Sequence, residues 1–227
     1  MTELRTRPVA AIVVAAGSGS RLGHGRPKAL VEVGGVPMVR RSVDVLREAG
    51  VGQVVVVAHP GHLDEFTAAL SGLVEITVVA GGAERPESVR RGLSQVDAPY
   101  VLVHDAARPL VPVRVVEAVM RSVLEGAKAV IPVVPVIDSI RRVEGSGSAI
   151  VDRADLRAVQ TPQGFATDVL RAGQVHIAAH GVQVTDDASA CEAIGASITF
   201  VDGHREAVKI TEPLDLVLAE AIWQARS

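Results

Sequence analysis

Five short aliphatic runs, each followed by a segment of helical character, constrain this chain more than any other feature. They read PVAAIVVAA (8–16), QVVVVAH (53–59), EITVVA (75–80), YVLVHD (100–105) and AVIPVV (129–134). Helical segments fall at about 37–49, 61–70, 86–95 and 112–126, and again at 167–180, 186–194 and 213–225. Strands that are apolar on both faces, alternating with amphipathic helices, fit a mostly parallel sheet covered on both sides. The expected fold is therefore α/β, Rossmann-like and doubly wound, with one or two more strands between 197 and 210. Aromatic residues make up only 2% of the chain, so its core must be aliphatic and ring stacking is excluded as a main recognition device.

At 227 residues the whole of 1–227 reads as a single domain, with no internal repeat or low-complexity linker. Between 136 and 160 the helical stripe disappears and residues alternate around EGSGS, as in a β-hairpin. Such an arm has little core of its own, which predicts a homodimer built through it. Pro132 and Pro135 read as an edge strand where the chain leaves the sheet. Lys and Arg number 23 against 26 Asp and Glu, so there is no global basic field of the nucleic-acid-binding kind. Neither a secretion signal nor a membrane-spanning apolar stretch is evident, and Cys191 is the single cysteine, so a cytoplasmic protein without membrane or nucleic-acid partners is expected.

The stretch AAGSGSRLGHGRPK (15–28) follows the first strand with four glycines, two arginines and a lysine. A dinucleotide-binding turn would open at once into a helix, which Gly23, Gly25 and Pro27 oppose, and the second strand ends in His59-Pro60 where an acidic ribose ligand belongs. A P-loop fails because Lys28 follows a proline. What remains is an extended loop whose backbone N–H groups wrap an anion, Arg21 and Lys28 reaching in from its ends; the plain alternative is a surface loop with solvated charges. HDAARP (104–109) follows the fourth strand at the carboxyl edge, where open parallel sheets bind ligands. Thr185, Asp186 and Asp187 read as an N-cap with acids that favour the helix dipole. The seven histidines show no metal-ligand spacing.

Ala15 to Leu22, with Pro27 and Lys28, resembles the signature of nucleotidyltransferases that join a nucleoside triphosphate to a sugar or polyol phosphate. AGGAERPESV (80–89), VLVHDAARP (101–109), VDRADLRAVQTPQGF (151–165), TDDAS (185–189) and VKIT (208–211) are similar to motifs of the 2-C-methyl-D-erythritol 4-phosphate cytidylyltransferase family within it. The resemblance implies attack by the polyol phosphate on the α-phosphorus of CTP with release of pyrophosphate, Mg²⁺ being held mainly by the nucleotide. It implies that Arg21 and Lys28 stabilise the transition-state charge and that Lys209, at the end of a short strand, helps place the phosphates. Arg153 would come from the neighbouring subunit to hold the polyol phosphate, near the hydroxyls of Thr161 and Ser139. Ala15, Ala16, Gly82, Ala83 and Ser88 would form the cytosine pocket beside Gly17 and Gly19. Asp105 would meet polyol hydroxyls or lie near the metal, and Arg108 would pair with Asp105 or contact substrate. Ser139 and Arg141 stand where the family more often has threonine and lysine. Ribitol 5-phosphate is the rival acceptor, and a non-catalytic nucleotide sensor the rival from another class.

Overall fold

A computed structural model describes residues 8–17, 19, 22 and 25–226. The chain begins with β1 (Val9–Ala15), a small ribbon of β2 (Glu32–Val33) and β3 (Val36–Pro37), and α1 (Met38–Glu48). There follow β4 (Val54–Ala58), α2 (Leu63–Ala69), β5 (Ile76–Ala80), α3 (Arg85–Leu93), β6 (Tyr100–Asp105), α4 (Val113–Leu124) and β7 (Ala129–Pro135). After β7 come β8 (Ile140–Glu144), β9 (Gly147–Val151), β10 (Arg157–Val159) and β11 (Gln163–Ala166). The chain closes with α5 (Thr167–His180), α6 (Asp187–Glu192), β12 (Ile198–Asp202) and α7 (Pro213–Arg226).

Among the described residues the main sheet has eight strands, with β5, β4, β1 and β6 parallel in that order, then β11, then β7. β11 is antiparallel to both β6 and β7. The expected doubly wound α/β architecture is present, with β10 and β11 reversed. β1 shows why both faces are covered: Ala11 and Val13 pack towards α1, α2 and α4, whereas Ala10 and Ile12 pack towards α3, α5 and α6. Each valine or isoleucine so buried contributes about 1.5–3 kcal/mol of transfer free energy. Phe66 and Phe165 are the large rings in these layers, one on each face.

The segment after β7 differs from the sequence reading in three ways. The hairpin itself is β8 and β9, turning at Gly145, whose φ is +59°. Its second limb does not end the arm but re-enters the main sheet, where β10 pairs antiparallel with the end of β7. β7 is also not an edge strand, because β12 runs parallel along its other side. Pro132 is accommodated differently. Its carbonyl accepts from Gln160 N–H (2.8 Å), so its ring nitrogen faces the same side, where Gln160 to Pro162 break the ladder between β10 and β11. A residue without an N–H costs nothing opposite such a break.

A third apolar cluster joins Leu22, Val31, Val33, Met38, Leu110, Ile210 and Ala219, with Trp223 packed on it. The Arg41 guanidinium lies 3.5 Å from the Trp223 ring centre. At Gly34 any side chain would collide with that indole. α7 is thereby fastened to the segment that follows the glycine loop. Only one strand, β12, forms between 197 and 210, so Lys209 lies outside any strand.

Candidate active site

A cavity of about 210 Å³ opens at the carboxyl edge of β1 and β6. Its walls are Val14 to Gly17 after β1, Lys28 and Ala29, Gly82 to Arg85 with Ser88, Asp105 to Ala107 after β6, and Lys209. Of the residues expected at the site, Ala15, Ala16, Gly17, Lys28, Gly82, Ala83, Ser88, Asp105 and Lys209 thus share one cavity. Arg21 lies outside the described residues.

Between Ala15 and Lys28 no α-helix forms among the described residues, in keeping with a wrapping loop rather than a dinucleotide turn. Gly19 does not border the cavity but makes the loop possible. Its φ is +70°, and an added Cβ would lie 2.7 Å from Lys28 Cβ and 2.9 Å from Lys28 N. Lys28 opens a short 3-10 turn, Lys28–Leu30, whose Ala29 and Leu30 are buried. The lysine therefore projects from an anchored base.

The opposite wall is held by the first turns of α3. Ser88 Oγ accepts from Gly82 N–H (3.1 Å), the Glu87 carboxylate accepts from Ala83 N–H (2.8 Å), and Arg91 donates to the Gly81 carbonyl (2.8 Å). Gly81 is required by close approach, since an added Cβ would lie 2.4 Å from Ala16 Cβ. Ser88 is buried, and with its oxygen taken as acceptor, its hydroxyl proton remains to donate towards the cavity.

Asp105, at the end of β6, is the electrostatic centre. Its Oδ2 lies 2.7 Å from Lys209 Nζ and its Oδ1 3.3 Å from Arg85 Nη2. Burial works to raise the Asp105 pKa, yet the two cations outweigh it and hold the carboxyl well below the usual carboxylate range. Thr161 stands behind it. Asp105 N–H donates to the Thr161 hydroxyl (3.0 Å), and that hydroxyl lies 3.1 Å from Nδ1 of His104. His104 is fully buried, and burial lowers its pKa to about 4, so the ring is neutral. Thr161 is 5% exposed and does not border this cavity; its hydroxyl supports the backbone of Asp105.

Arg108 does not take the first of its two expected roles, the pair with Asp105. It makes no ion pair with Asp105 but donates to the carbonyls of Ala207 (2.7 Å) and Val159 (3.2 Å). Together with the bond from Ile210 N–H to the Ala107 carbonyl (2.8 Å), this fixes the segment that carries Lys209. Ser139 and Arg153 sit on the arm, away from this cavity; Arg153 is exposed and donates to the Ile137 carbonyl.

Two residues that sequence reasoning left out complete the site. Arg85, the first residue of α3, borders the cavity, and its Nη1 lies 2.7 Å from Asp187 Oδ2. Asp187 is 1% exposed, a buried ion-pair partner rather than a helix-dipole acid. The cap of α6 is Asp186, which accepts from Ser189 N–H (2.9 Å), and not Thr185. The available signal was the arginine next to Glu84 in AGGAERPESV, a long cation beside small residues. Among the described residues no cluster of histidine, cysteine and acidic side chains can hold a metal, and both Asp105 oxygens are engaged by cations. The protein side of the cavity therefore does not fit a direct Mg²⁺ ligand set.

The family model described as "IspD: 2-C-methyl-D-erythritol 4-phosphate cytidylyltransferase" matches residues 9–225. A protein of that name from Frankia casuarinae is 52% identical, the match covering 94% of this chain and 80% of the relative. Another from Rhodococcus jostii is 49% identical over 95% of each. The crystal structure of the Thermus thermophilus enzyme of that name matches with TM-score 0.81 at 35% identity, over 94% of this chain and 98% of that one. A 4-diphosphocytidyl-2C-methyl-D-erythritol synthase from Anaerococcus prevotii matches with TM-score 0.85 at 26% identity, over 95% and 98%. With a family match across nearly its whole length and relatives about half identical to it, the chain belongs to the 2-C-methyl-D-erythritol 4-phosphate cytidylyltransferase family.

Proposed function

We propose that this cavity binds CTP and transfers its cytidylyl group to 2-C-methyl-D-erythritol 4-phosphate in isoprenoid precursor synthesis. The observation that carries the reading is the meeting of Lys28 and Lys209 at a cavity whose other wall is Ala15 to Gly17 and Gly82 to Ser88. The substrate phosphate oxygen forms a bond to the α-phosphorus, the α–β anhydride bond breaks, and pyrophosphate leaves with the bonding pair. The nucleophile is already an anion, so no general base is required. Catalysis then consists of holding two polyanions in line and stabilising charge on the α-phosphate. In this reading Lys28 and Arg21 stabilise that charge, and Lys209 meets the incoming phosphate. Ser88 and the backbone around Ala15, Ala16, Gly82 and Ala83 select cytosine, while Asp105, beside Lys209, orients the polyol. Mg²⁺ carried by the phosphates of CTP would lower their charge without a direct ligand from the described residues.

The second half of the reading is a homodimer through the 136–160 arm, in which Arg153 and Ser139 of one subunit serve the other. It is supported by the exposure of Val143 (80%) and Ile150 (65%) on a hairpin paired only with itself, and by Arg153 reaching no part of its own cavity. No described helix is long and apolar enough to cross a membrane, and the net charge is −3. We place the reaction in the cytoplasm, without membrane or nucleic-acid partners and with 1–227 acting as one unit. Pyrophosphate release is measured with CTP and each polyol phosphate. Turnover with 2-C-methyl-D-erythritol 4-phosphate is expected, and a preference for ribitol 5-phosphate, or CTP binding without release, overturns the assignment. A fully active monomer on sizing overturns the dimer.

A further inference from the structure

The guanidinium of Arg85 is committed before any nucleotide arrives. Nε and Nη2 lie 3.4 and 3.3 Å from Asp105 Oδ1, and Nη1 lies 2.7 Å from Asp187 Oδ2. A fork spread over two carboxylates has no parallel pair of N–H groups left to grip phosphate oxygens. Arg85 therefore borders the cavity without being poised as a phosphate ligand.

Charge alternates along the row Lys209, Asp105, Arg85, Asp187, and the side-chain exposures are 44, 11, 28 and 1%. Asp187 is its deepest member and does not border the cavity. Its position is fixed from two other elements. Gln174 of α5 donates to its Oδ1 (3.4 Å), and Gln163 of β11 accepts from Ala188 N–H (3.2 Å) while donating to Asp186 (3.0 Å). Without the Asp187 charge the row carries one net positive charge, and Arg85 keeps a single carboxylate. The counter-charge within reach of a freed arginine is then the triphosphate in the cavity.

We infer that Asp187 is a positioning residue for cytidylyl transfer: from behind the cavity it holds Arg85 against Asp105 and keeps that guanidinium off the phosphates, leaving them to the lysines. The inference rests on the cytidylyl-transfer reading above. Its effect is directional. An arginine that follows the triphosphate strengthens binding of CTP and of the departing pyrophosphate equally, and binding shared by ground and transition states does not raise kcat. At the same time Asp105 loses its second support and its alignment with Lys209.

The test is Asp187→Asn in the full chain, with Ser189→Ala as a control on the same short helix that leaves Arg85 untouched. Steady-state kinetics give kcat and KM for both substrates, and calorimetry gives pyrophosphate affinity independently of turnover. Asp187→Asn is expected to lower kcat by about tenfold or more, the scale of a small misplacement, while KM for CTP does not rise and pyrophosphate binds several-fold more tightly. The double variant Arg85→Gln/Asp187→Asn has no unpaired buried charge and guards against misfolding. It is expected to keep the low kcat but return pyrophosphate affinity to that of the unsubstituted protein. Unchanged kcat and pyrophosphate affinity in Asp187→Asn, or changes no larger than in Ser189→Ala, overturn the inference. If Asp187→Asn does not fold, wild-type kcat in the double variant overturns it. An unsubstituted chain that releases no pyrophosphate refutes the reaction itself, a separate outcome.

Discussion

Replacing Thr161 with valine separates the two roles its hydroxyl can have. The substitution keeps the branched shape and removes one buried hydroxyl, leaving the Asp105 N–H, 3.0 Å away, with no acceptor there. A buried donor left unpaired costs about 1 to 3 kcal/mol. In a chain of 227 residues each kcal/mol lowers Tm by about 2 to 4 °C, so a fall of about 2 to 12 °C is expected. Because the lost bond holds the backbone of Asp105, kcat should fall as well, whereas KM for the polyol phosphate should change little. Thr161→Ser keeps the hydroxyl and is the control. Melting followed by circular dichroism and steady-state kinetics on the three proteins read the outcome. If valine and serine melt alike, or if valine raises KM for the polyol phosphate at unchanged Tm, the hydroxyl serves substrate and the support of Asp105 is wrong.

Lys28→Ala should lower pyrophosphate release by about a hundredfold or more, the scale of losing one preorganised donor, and near-normal turnover would leave the lysine a binding role only. His104 predicts a pH window. Burial lowers its folded pKa to about 4 from 6.5, so below pH 6.5 the unfolded chain takes up a proton that the fold refuses. Stability should fall by up to about 3 kcal/mol as pH drops from 6.5 to 4, read as a shift in urea midpoint, and His104→Gln should flatten that slope. Gly164→Ala should destabilise by about 1 to 3 kcal/mol in denaturant titration, because the new methyl meets Val119 Cγ1 at 2.5 Å and Val123 Cγ1 at 3.0 Å. A neutral result would mean that α4 moves aside freely.

What the sequence disclosed depended on whether a signal was local. Valine runs flanked by amphipathic segments gave β1, β4, β6 and β7 close to their observed bounds, because burial on both faces leaves few polar positions to blur them, and the same aliphatic run marked the half-buried β5. The glycines of 81–82 and Lys28 were readable for the same reason, each marking a close approach or a charge beside a strand end. The pairing of Arg85 with Asp187 was not. Each looks ordinary in its own helix, as a first-turn residue, and only the fold brings α3 and α6 together. Thr161 and Arg108 were seen as site residues, but Thr161 accepts from the Asp105 backbone beside the His104 ring and Arg108 donates to two carbonyls, which no side-chain pattern reveals. The re-entry of β10 and β11 was hidden because three- and four-residue strands show no period.

The position of β11 bears on the order in which the sheet can be assembled. Among the described strands, Gln163–Ala166 is what joins β6 to β7, so everything beyond it hangs on four residues that come late in the chain. A polypeptide growing from its N-terminus can pair β5, β4, β1 and β6, but it then carries YVLVHD with one bare, apolar edge until residue 166 has emerged. Such an edge is open to pairing with any passing strand. The short stretch from Gln163 to Ala166 thus acts as the closing seam of the sheet, and translation speed across the arm that precedes it sets how long that seam stays open.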